Sequence, residues 1–214
     1  MEDETNVELA ENHRSNPSLR DRFDYLSKFL NFTADDILTL NHLGELAAPL
    51  IPIVVDKIFQ RLLDFDVTKR YFLMRHYGYA GPVTVDSAQL TLESDQMLFR
   101  RTNLGKYLKR ILRQRIWNDA FLEYLSHVGK IHTNMAGSQS INIDYVHINV
   151  LFGYIEHILL EAVLSNEQID PQTKQSTVLT LNKFFWIQND FFSMHYINQS
   201  HSAPIVGPPN CVCN

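Results

Sequence analysis

Residues 145–164 read YVHINVLFGYIEHILLEAVL, and this stretch decides the fold class. Only Glu156 and Glu161 are charged, and apolar side chains occupy nearly every side of a helical wheel, the pattern of a helix enclosed by its own domain. The segment is therefore expected at the centre of the molecule. Downstream, Pro171 to about Tyr196 carries Val178, Leu181, Phe184, Phe185 and Phe192 on a heavy aromatic face of a second long helix. Upstream, Asn118 to His132 reads as a helix, separated from the enclosed one by the turn-forming stretch Ala136 to Asp144.

Further towards the N-terminus the helical period persists. Leu19, Phe23, Leu26 and Leu30 mark one face of a short amphipathic helix, and Thr33 before Asp35 and Asp36 is an N-cap with acids in the first turn. The helix it starts runs through Ile37, Leu40 and Leu43 and stops at Ala48-Pro49. A denser one follows with Ile53, Val54, Ile58, Phe59, Leu62 and Leu63. Gly78, Gly81 and Pro82 punctuate the one clear internal loop. Beyond it a long helical stretch begins near Ala88, with a break expected around Thr102 to Gly105. No repeat and no alternating strand longer than about four residues appears, so an all-α domain is predicted over 18–197, with polar tails at 1–17 and 198–214.

Composition narrows the function. With 214 residues and 45% hydrophobic content the chain supports one domain with a real core. A net charge of −5 with only 19 Lys and Arg argues against a nucleic-acid face. Cys211 and Cys213 are the only cysteines, so no disulfide framework or cysteine metal cluster builds the fold. No uninterrupted apolar run approaches the roughly 18 residues that cross a bilayer, and the N-terminus is acidic where a targeting peptide is basic; a soluble cytoplasmic protein is expected.

The common enzyme motifs are missing: there is no Walker loop, GxGxxG turn, GxSxG elbow or HExxH helix. Nine histidines remain as chemistry. His127 and His132 are five residues apart, about 140° around a helix, and cannot serve one site together. Asp144-x-x-His147 has the outline of half a carboxylate-bridged di-iron motif, but no second copy exists.

The stretch YLSHVGKIHT (124–133), followed by a turn and then DYVHINVLFGY (144–154), resembles the protoglobins and the haem domains of globin-coupled sensors. Their proximal-histidine helix reads Val/Ile-Gly-x-x-His, which puts Gly129 and His132 on the family's glycine and proximal ligand. The resemblance covers roughly residues 18–197, including the extra N-terminal helix and Asp56-Lys-Ile-Phe59 ahead of Tyr71-Phe72. It implies a globin-type helical sandwich with an additional N-terminal helix, one haem held by His132, and a diatomic gas on the open side of the iron. Gly129 leaves room either for a planar partner or for a neighbouring helix.

One position departs from the family. Where its members commonly place a distal tyrosine that can hydrogen-bond the gas, this chain has Phe59. Tyr107 is a substitute donor in one alignment; another puts Leu108 or Leu104 there. The pocket walls expected are Tyr154 and Ile158 on the enclosed helix, with Phe121, Leu125 and Val128 on the proximal side, although Tyr154 and Ile158 would equally serve as plain core.

Arg100, Arg101, Lys106, Lys109, Arg110, Arg113 and Arg115 form a cationic run. It reads as a solvated face, with haem propionates, the acidic N-terminal segment or an anionic membrane as other partners. Cys211-Val-Cys-Asn214 has only the outline of a prenylation signal, so membrane attachment arises only if those cysteines are lipidated. With a short tail after the domain, a stand-alone gas-binding protein for sensing, storage or scavenging is expected, with a homodimer through the last two helices implied by the resemblance. Two other classes stay open: a haem enzyme such as a nitric oxide dioxygenase or peroxidase fed by an external reductant, and a haem-free helical interaction module.

Overall fold

The helices begin where the sequence supplies caps. The computed structural model describes residues 18–202, so the expected tail at 1–17 and the cysteines at 211 and 213 lie outside the described residues. Ser18 and Asp21 form a reciprocal capping box that opens α1 (Leu19–Leu30), which ends at Asn31 in a left-handed conformation. Asp36 accepts from the Thr33 N–H at 2.8 Å to open α2 (Ala34–Ala47). A proline in the first turn opens α3 (Ile51–Leu63), and α4 (Asp66–Lys69) runs on into a 3-10 turn at Arg70–Leu73.

The next helix differs from expectation. It starts at Asp95, not near Ala88, and α5 (Asp95–Arg113) is unbroken. The Thr102 hydroxyl donates to the Leu98 carbonyl at 2.8 Å, which satisfies it within the helix where a break was expected. Asn118 caps α6 (Asp119–Ile131), and α7 (Tyr145–Ser165) and α8 (Pro171–Ser202) complete eight α-helices, with no strand among the described residues. The last helix carries on past residue 197, so the C-terminal tail begins later than the sequence suggested.

The architecture is a globin-type sandwich. Helix α8 packs on α1, α2, α6 and α7, while α5 crosses α2 and α3, and α3 meets α7. Two glycines permit the closest approaches. A Cβ on Gly44 would lie 2.6 Å from the Leu112 carbonyl oxygen, and one on Gly129 would lie 2.6 Å from that of Phe191, so α2 rides on α5 and α6 on α8 nearly backbone to backbone. The additional helix α1 is fastened by Phe23 and Phe32, whose ring centroids lie 5.5 and 5.1 Å from that of Trp117, and by a two-pronged contact of Arg22 with Asp190 at 2.5 and 2.8 Å.

The expectation of an enclosed α7 is corrected. Only Ile148, Ile155, Ile158 and Val163 are buried, while Val146, Val150 and Leu164 are each more than half exposed. The helix is long and apolar enough, by length and composition, to cross a membrane, but here one side packs on α8 and α3 and the other faces outward. Helical-wheel composition reports that a side chain is apolar without reporting what covers it.

A buried ionic knot joins the start of α2 to α8. Asp36 accepts from Thr180 at 2.7 Å and from Lys183 at 3.0 Å as well as from Thr33. Burial opposes the charge, but the Thr180 and Thr33 hydrogen bonds and Lys183 outweigh it and hold the carboxyl below its ordinary range. A lowered carboxyl pKa stabilises the fold fully above the unfolded-state value and progressively less as pH falls through the folded one. Asp36→Asn is therefore expected to cost about 1.5–3 kcal/mol in denaturant unfolding at pH 7. The gap from wild type should shrink below about pH 4; a gap independent of pH would show that the charge is not what matters.

Candidate functional site

The site is built at the C-terminal end of α6. His132 is the C-cap residue, its backbone N–H donating to the Gly129 carbonyl at 3.2 Å. Its Nδ1 lies 2.7 Å from the Val128 carbonyl oxygen. That oxygen can only accept, so Nδ1 carries the proton and Nε2 keeps an open lone pair. Burial pushes the imidazole pKa down to about 4, the Val128 bond opposing the shift and nearby His76 adding to it. At neutral pH the ring is an uncharged, oriented nitrogen donor, a state in which an imidazole can coordinate a metal.

The backbone beneath the ring is clamped. The Tyr196 hydroxyl, on α8, reaches the His132 carbonyl at 3.1 Å and the Ile143 carbonyl at 2.8 Å, and the Ile143 N–H donates to the His132 carbonyl at 2.8 Å. Phe192 stands 5.2 Å from the imidazole, centroid to centroid, and is itself met edge-on by Phe152 at 4.9 Å. Gly129 serves the second of the two uses open to it. The atoms nearest its missing Cβ are the Phe191 carbonyl, the Phe192 Cα and His195, so the glycine makes room for α8.

Among the remaining expected residues, Val128 bonds to His132 and the others have contacts of their own. Val128 supplies the carbonyl that fixes the His132 tautomer. Phe121 and Leu125 are buried on α6, Phe121 stacking on Tyr124 at 6.2 Å. Phe59 is buried and packs on Phe72 at 5.8 Å. The Tyr107 hydroxyl donates to Gln188 on α8, and burial raises its pKa, so it is a satisfied core phenol. Leu108 lines a small apolar cavity with Leu43, Ile51, Leu159 and Phe184. Tyr154 lies beneath the Arg61 guanidinium at 5.8 Å, and Ile158 is buried in the core.

Other sequence readings resolve in the same way. Asp144 accepts from Tyr71 at 2.7 Å and Arg70 at 3.0 Å, and no group of three metal-ligating side chains occurs among the described residues, which leaves the di-iron outline without support. The cationic run divides: Lys106, Lys109, Arg110, Arg113 and Arg115 are exposed, Arg101 pairs with Asp56, and Arg100 is buried. Sequence reasoning missed Tyr196, His76 and the burial of Arg100. The last was visible, since Met97, Arg100, Leu104 and Ile111 share one face at spacings of three, four and seven.

The chain's family and fold are shown by comparison with known proteins. The protoglobin family model matches residues 19–202, and the chain belongs to that family, whose members typically bind haem. Among solved structures, the globin domain of a globin-coupled sensor from Geobacter sulfurreducens is similar, with a TM-score of 0.62 and 16% identity, over 81% of this chain and 96% of that one. No curated protein matches.

The near-contact of α6 and α8 gives a direct test. Gly129→Ala gains up to about 1 kcal/mol of helix propensity but must force two backbones apart, at about 1–3 kcal/mol. A net loss of stability in denaturant unfolding is expected. A more stable variant would show that the two helices do not approach this closely.

Proposed function

We propose that this protein is a gas-binding haem globin in which His132 Nε2 is the proximal iron ligand. The observation that carries the reading is the Nδ1–H bond to the Val128 carbonyl, which leaves Nε2 unprotonated on a ring that burial keeps neutral. Bound haem would supply an open coordination position for a diatomic gas, the ligand class of the globin family. The chain's own contribution is orientation and exclusion of water. Val128, Phe192 and the Tyr196 clamp hold the imidazole, and Phe59, where the family commonly has a tyrosine, is buried against Phe72.

The outward face of α7 and α8 fits a second copy of the chain. Val146, Val150 and Leu164 on α7 and Leu179 and Trp186 on α8 are exposed, and the two helices pack side by side. An exposed apolar surface of this extent marks an interaction site, and a self-complementary pair of helices suits a two-fold dimer.

Two experiments test these statements. Purified protein reconstituted with haem is expected to show a Soret band, and His132→Ala is expected to lose the histidine-ligated spectrum or the haem itself. A colourless wild type would favour the haem-free interaction module. In sedimentation, wild type is expected to run as a dimer and Trp186→Glu as a monomer with an unchanged Soret band; a monomeric wild type contradicts the dimer.

A further inference from the structure

Arg100 is the one buried member of the cationic run and is only 7% exposed. Its Nη2 donates to the Met74 carbonyl at 2.6 Å, yet Nε has no partner. Arg22 and Arg101 each hold an aspartate, whereas Arg100 has no ion pair among the described residues. A guanidinium removed from water without a counter-charge is costly, and burial lowers its pKa only to about 10, which leaves it charged at neutral pH. Such a group is retained where an anion meets it.

Its location indicates which anion. The Arg100 Cζ stands 5.2 Å from the centroid of Phe72, the same ring on which Phe59 packs at 5.8 Å. The guanidinium therefore packs on the same aromatic pair as Phe59. Both a haem propionate and a small anion entering opposite His132 would satisfy Nε, and the enclosure of Arg100 beside Phe59 and Phe72 favours the entering ligand.

We infer that Arg100 is a ligand-recognising residue of the proposed haem site, donating from its unpartnered Nε to an anionic or negatively polarised small ligand admitted on the side opposite His132. The inference rests on the haem reading and goes beyond it by giving the ligand side a cationic donor in place of a tyrosine hydroxyl.

The test uses the ferric holoprotein titrated with azide, an anion, and with imidazole, which is neutral, each followed by the Soret shift. Loss of a charge-assisted hydrogen bond predicts azide binding weaker by about tenfold or more in Arg100→Leu. Imidazole affinity and the rate of haem transfer to apomyoglobin should stay within about twofold of wild type. Arg100→Lys should recover part of the azide affinity, and Arg100→Gln, which keeps bulk without charge, should behave as Leu and serves where Leu does not fold. Unchanged azide affinity in a haem-loaded variant overturns the inference. So does faster haem loss with unchanged azide affinity, which would assign the guanidinium to a propionate, and so does failure of all three variants to hold haem. A wild type that takes up no haem overturns the proposed function itself, an outcome separate from any of these.

Discussion

The near-contact of α6 with α8 at Gly129 is the constraint on which the rest of the molecule depends. Because no side chain separates that position from the Phe191 carbonyl, the end of α6 is pressed against the most connected helix of the sandwich. His132 follows within one turn, and Phe192 and Tyr196 on α8 arrive at its ring and its carbonyl from the same crossing. A larger residue at 129 would move the histidine relative to both. The position of the site is thus set by backbone proximity rather than by the polar groups around it.

The chemistry of the site comes from burial combined with a single hydrogen bond. An imidazole in water near pH 7 exchanges between two tautomers and a cation. In this position burial removes the cation and the Val128 carbonyl selects the tautomer, so Nε2 is a lone-pair donor. The proposed ligand side is organised differently. It is aromatic, through Phe59 and Phe72, with the Arg100 charge set into it. That contrast separates one neutral, fixed ligand from one cationic, incompletely satisfied group.

Much of the fold was legible in the sequence, because caps and apolar period are local. Ser18, Thr33 and Asn118 start helices where their side chains predict, and Val-Gly-x-x-His identified the end of α6. Enclosure was not legible. The composition of α7 is the same whether its apolar side chains meet the rest of their own chain or face outward, and about half of that helix does the latter. The split of the cationic run was likewise hidden while Arg100 was read with its neighbours instead of with Met97 and Leu104. Tyr107 reads in the sequence as one candidate donor to the ligand, and the partner its hydroxyl has here is Gln188, eighty-one residues away in the chain, which only the fold brings near.

The proposed function requires a bond between His132 Nε2 and haem iron. Resonance Raman spectroscopy of the ferrous, ligand-free protein observes the iron–histidine stretch directly. The band is expected to shift when histidine is labelled with nitrogen-15, to vanish in His132→Gly and to return when free imidazole is added to that variant. An iron–histidine band that persists unchanged in His132→Gly would place the ligand on another residue and contradict the account.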